Sequence, residues 1–74
     1  MFKGIIKFKC GALLAGYAVQ TGDTLYVAPS GNNPGLYYFH FPEYPEWNDD
    51  SVSPSTFRKL YDDNKISIVR CITD

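Results

Sequence analysis

Along the first ten residues apolar and charged side chains alternate, with Phe2, Ile6, Phe8 and Cys10 on one side and Lys3, Lys7 and Lys9 on the other. A period of two marks a strand with one buried face. Ile5 falls on the lysine side, which predicts that this second face is partly covered. Residues 13–20 and 24–28 flank Thr21-Gly22-Asp23, so the pattern predicts an antiparallel hairpin turning at Gly22, where glycine accepts a positive φ. The PSGNNPG stretch at 29–35 consists of turn formers and predicts a loop. Next, LYYFHF at 36–41 predicts an aromatic strand, because flat rings suit a pleated, half-buried surface. Pro42 and Pro45 lack amide donors, so that strand is expected to end at Phe41 or Pro42, with PEYPEWNDDSV following as an extended loop.

A helix signal comes next. Ser53 can cap, Pro54 suits the first turn, and Val52 can staple against Phe57. Phe57, Leu60 and Tyr61 share one helical face by their spacing. Asp62 and Asp63 oppose the macrodipole at the far end, where Asn64 suits a left-handed cap. Residues 66–73 carry apolar side chains on both faces, which predicts an interior strand. The resulting order is that of an α+β fold. We expect one domain over residues 1–74, a four- to five-stranded mainly antiparallel sheet with one short helix at about 54–63 packed on one face.

Composition narrows the picture further. At 74 residues the chain holds one domain, and 45% hydrophobic with 20% charged residues is the balance of a folded chain. A formal charge of -1 excludes polyanion coating by bulk charge. Cys10 and Cys71 fall short of the roughly four to eight cysteines of a small disulfide scaffold, so both are expected as free, buried thiols. Three lysines ahead of the apolar run at 10–19 weakly resemble a signal peptide. Glycines interrupt the run, however, and a hairpin signal follows, so an ordinary strand is the expectation. No run reaches the roughly 20 apolar residues of a membrane span. A cytoplasmic protein without membrane contact is expected.

The most informative feature is aromatic. Six of twelve aromatic residues lie between Tyr37 and Trp47, and alternation sends Tyr37, Phe39 and Phe41 one way, Tyr38 and His40 the other. A two-layer fold cannot readily bury both sets. Tyr44 and Trp47 follow on a proline-fixed segment with Glu43, Glu46, Asp49 and Asp50 around them, which combines apolar anchors with an acidic rim. Residues 43–63 carry six acids against two bases, whereas 10–42 hold only Asp23 as a formally charged side chain. Lys3, Lys7 and Lys9, with Arg70, form a weaker candidate for an anionic ligand.

Catalytic signals are thin. His40 is the sole histidine, and general acid/base chemistry needs a second, positioned group that no motif supplies. No serine sits in a nucleophile-elbow context, and no tight Cys/His pair announces a metal. No cofactor and no metal are expected. The pattern therefore predicts a small non-enzymatic protein-binding module, an inhibitor or adaptor. It would occupy a larger protein with a basic surface through Tyr38, His40, Glu43, Tyr44, Glu46, Trp47, Asp49 and Asp50. In general character, though in no specific residue, the chain is similar to the small inhibitors and adaptors made by phages and other mobile elements. The alternative is a nucleotide- or small-molecule-sequestering protein, built as a homodimer, with aromatic rings on a planar ligand and lysines on its phosphates. A His40-dependent hydrolase or nuclease ranks below both, and nucleic acid is not an expected partner.

Overall fold

The computed structural model describes residues 2–42 and 51–72. The chain forms β1 (Gly4–Phe8), β2 (Ala12–Leu14), β3 (Tyr17–Val19), β4 (Thr24–Pro29), β5 (Tyr37–His40), β6 (Ser51–Val52), α1 (Pro54–Asp62) and β7 (Ile66–Cys71). Five strands pair in the order β6-β5-β4-β1-β7 and every pairing is antiparallel, while β2 and β3 form a separate two-stranded sheet. This is the α+β architecture the pattern predicts.

One face of the large sheet holds the core. Alternation turns Ile6 and Phe8 of β1, Leu25 and Val27 of β4, and Tyr37 and Phe39 of β5 to the same side, where all are buried. Above them lie Phe57 of α1 and the buried Leu14 and Val19 of the small hairpin. Edge-on ring contacts join the layers: Tyr37 meets Phe57 at 5.7 Å and Tyr17 meets Phe39 at 6.0 Å between centroids. Such contacts set the positive ring edge against the negative ring face. The Tyr37 hydroxyl also accepts a 2.8 Å hydrogen bond from the Phe2 amide, which fixes the start of the chain to the core.

The helix begins at Pro54 with Ser53 as N-cap, as its sequence predicts, but the Ser53 side chain makes no capping bond to the backbone. Its hydroxyl lies instead 2.9 Å from that of Ser55 and 3.1 Å from that of Thr56. At the far end Asn64 takes φ 61, and the Lys65 and Asn64 amides donate to the carbonyls of Leu60 and Tyr61. That pair of bonds is the left-handed stop expected at an Asn. Of the expected buried face, Phe57 is buried and Leu60 packs partly against the core, but Tyr61 is 53% exposed.

Four expectations need correction. Residues 13–20 do not pair with 24–28. Ala15 and Gly16 both adopt positive φ, 50° and 86°, and this two-residue turn closes β2 on β3 instead. β4 is thereby free to pair with β1 and β5. Second, Ser51 and Val52 are not loop but a short strand against Tyr38 and Tyr37. Third, β7 is an edge strand rather than an interior one: Val69 stands out at a bulge between the Ile5–Arg70 and Ile6–Ile68 pairs. Its apolar side chains on both faces are partly exposed, Ile68 by 49% and Val69 by 56%. Fourth, the cysteines are free but not buried, since Cys71 ends that edge strand in solvent and Cys10 is half-buried beyond β1.

Candidate functional site

The residues that cannot enter the core define the site. Because side chains alternate, Tyr38 and His40 of β5 face away from Phe39 and onto the second face of the sheet. Register then adds a residue that composition alone leaves inconspicuous. Tyr26 of β4 pairs directly with His40, and cross-strand partners share a face. The three rings form one cluster. Tyr26 stacks on His40 at 4.8 Å and 30°, Tyr38 lies near-parallel to His40 at 5.9 Å, and Tyr26 meets Tyr38 at 6.0 Å. All three are half-buried. Beside them Ala28, opposite Tyr38, is buried among larger neighbours.

Continuing across the sheet, Ile5 pairs with Tyr26 on one side and with Arg70 on the other, and Lys7 pairs with Thr24 and Ser67. Alternation along β1 adds Lys3 to this side. The second face thus runs from a cationic flank of Lys3, Lys7 and Arg70 to an aromatic flank of Tyr26, Tyr38 and His40. Both α1 and the small hairpin contribute to the core side, and no described element contributes to this one. Ile5 is half-buried, in keeping with the partial cover that its position predicts. Lys9 lies beyond β1, where its ammonium donates to the Asn64 side chain at 2.6 Å.

Burial shapes the chemistry of the rings. It lowers the pKa of His40, so the imidazole is neutral near pH 7. Its Nδ1 is buried and has no hydrogen-bond partner among the described residues. Burial also raises the pKa of Tyr38, with the nearby Tyr26 and a hydrogen bond to it adding to the effect, so the phenol keeps its proton. The cluster is therefore three flat, uncharged rings held in one plane of approach. Proton transfer at His40 would need a group to orient the imidazole, and no such bond occurs among the described residues. Nor do three or more His, Cys, Asp or Glu residues gather there around a common point.

Of the sequence-predicted site, Tyr38 and His40 come together here, while Glu43, Tyr44, Glu46, Trp47, Asp49 and Asp50 lie outside the described residues. Tyr26 is the residue that sequence reasoning missed. The period-two pattern of Thr24, Tyr26 and Ala28 shows its face within β4, but only the pairing of β4 with β5 shows which rings it joins. A second concavity, of about 490 Å³, opens on the core side between α1 and β7, lined by Phe2, Ile6, Phe57, Tyr61 and Ile68. It lies on the other side of the sheet, so the two surfaces are independent.

Fold and site together define a small two-layer α+β domain with one face of its sheet left uncovered by described elements. No protein family, curated protein or solved structure matches the chain. No helix among the described residues is long and apolar enough to cross a membrane.

Proposed function

We propose that the protein is a non-enzymatic binding module that works by occupying its partner through the uncovered sheet face, with Tyr26, Tyr38 and His40 as anchors. The observation that carries this reading is the ring cluster on that face, in which Tyr26 and Tyr38 each stack on His40 and lie tilted to one another. Rings held by a sheet and by one another lose little conformational freedom on contact, which is where aromatic anchors gain their affinity. Glu43, Tyr44, Glu46, Trp47, Asp49 and Asp50 lie outside the described residues, and the proposed contact surface rests on Tyr26, Tyr38 and His40. Two unpaired cysteines, one of them exposed, suit a reducing compartment, and the proposal includes the cytoplasm as the setting.

Affinity capture from extracts of the source cell tests the reading, with wild type compared against a Tyr26→Ser/Tyr38→Ser variant whose fold is verified by circular dichroism. The ring variant should lose the bound partner. Equal recovery of every bound component by the folded variant would remove the face from consideration.

A further inference from the structure

The charge on the uncovered face is one-sided in a way that the net charge conceals. Lys3, Lys7 and Arg70 lie on it, and no described acidic residue does. Asp62 and Asp63 belong to the helix end on the opposite layer, where Asp62 faces Arg58 at 3.5 Å. Asp23 turns its carboxylate into its own loop, accepting the Gln20 amide at 2.9 Å. The chain has more acids than bases in total, yet among the described residues this one surface joins cations to uncharged rings.

From this juxtaposition we infer that the face binds single-stranded nucleic acid, with exposed bases on Tyr26, Tyr38 and His40 and backbone phosphates at Lys3, Lys7 and Arg70. The inference rests on the binding-module reading and names its ligand. Base faces and aromatic rings attract through stacking whatever the base, and a positive strip tracks the backbone. The length of a duplex offers such a surface little, because stacked interior base pairs keep their faces inside the helix. The spread of the face selects a polymer over a free nucleotide: three inter-strand steps, about 14 Å at roughly 4.8 Å each, separate Arg70 on β7 from His40 on β5. One nucleotide has a single base and cannot occupy all three rings. The axis of the track follows too, since the cations sit on or beside β1 and β7 and the rings on β4 and β5, so backbone and bases part to opposite sides along the strand directions.

Fluorescence anisotropy with labelled oligo-uridylate and oligo-thymidylate of about 12 nucleotides tests the inference, against a duplex control. Both single strands should bind, and the duplex should bind markedly less. Three phosphate contacts predict about a 20-fold loss of affinity between roughly 50 and 200 mM salt, and a Lys7→Gln/Arg70→Gln variant should show only about a threefold loss over the same range. Tyr38→Leu should weaken binding about tenfold and Tyr38→Phe should restore it, as stacking on one base requires. No saturable binding to either single strand, equal binding to the duplex, or indifference to Tyr38→Leu would each overturn the inference. If no oligonucleotide binds while the Tyr26→Ser/Tyr38→Ser variant still loses a captured protein, the ligand assignment fails and the binding face survives. If the folded ring variant keeps every ligand, both fail.

Discussion

Strand β5 presents the same kind of side chain to two different environments. Tyr37 and Phe39, 8% and 0% exposed, close the core under α1 and the small hairpin. Tyr38 and His40, one residue along in each case, lie half-buried on the other face against Tyr26. Four consecutive ring-bearing side chains thus divide into two pairs by parity alone. The core pair is held by layers above it and contributes stability. Among the described residues the outer pair is held by its neighbours in the sheet, Tyr26 foremost.

That contrast breaks most visibly at Phe39. Truncation to alanine leaves a cavity beneath both overlying elements and should cost about 3 to 5 kcal/mol, whereas Tyr38→Ala, losing one side of a cross-strand cluster, should cost about 1 kcal/mol or less. Urea melts of the two variants measure the difference directly. Comparable losses would mean that the outer rings are core after all.

A smaller effect is expected at Gly4, whose position on the core-facing side of β1 admits no side chain. A Cβ there would run into the Arg70 carbonyl and the Phe2 ring. Gly4→Ala should therefore destabilise by about 1 to 3 kcal/mol through a shift of the β1–β7 pair. It should leave the Tyr26–Tyr38–His40 cluster, on the side of β1 away from β7 and on the other face, intact. A thermal melt reports the first half, and aromatic NMR shifts of the three rings report the second.

The smallest effect sharpens the comparison through pH. Burial lowers the folded pKa of His40 below its ordinary value near 6.5. Between those two values the unfolded chain binds more protons than the folded one, so stability rises with pH across that window and is lost as pH falls through it. The cause is desolvation beside Tyr26 and Tyr38, and His40→Gln should remove this component of the pH slope. A slope unchanged in His40→Gln would assign it to other groups.

The parts of the fold that were legible in the sequence are those governed by local rules. The helix from Pro54 to its Asn64 stop follows from capping chemistry and periodicity, and the aromatic strand follows from β propensity. Alternation alone also told that Tyr37 and Phe39 would part from Tyr38 and His40. Pairing was not legible. Ala15-Gly16 is a less familiar turn signal than Thr21-Gly22-Asp23, yet it is the one that closes a hairpin, because its backbone accepts positive φ at both positions. Partner choice between strands depends on contacts distant in sequence, which explains why β7 read as interior and why Tyr26 escaped notice. The cationic side of the site was visible as three lysines and Arg70, but bulk charge masked it. Only the strand order puts Arg70 and the β1 lysines on the same face as the rings.

The bulge at Val69 has a consequence for how the molecule tolerates crowding. A sheet with two open margins can polymerise by adding strands from another copy. Here one margin is the two-residue β6 and the other is β7, whose ladder to β1 is interrupted at Val69, with Arg70 beside it. Short, bulged and charged borders are the features that stop strand-by-strand growth. With 49% of Ile68 and 56% of Val69 accessible on that border, the irregularity acts as a brake on fibril formation. Deleting one residue to straighten β7 should lengthen the regular edge open to strand addition.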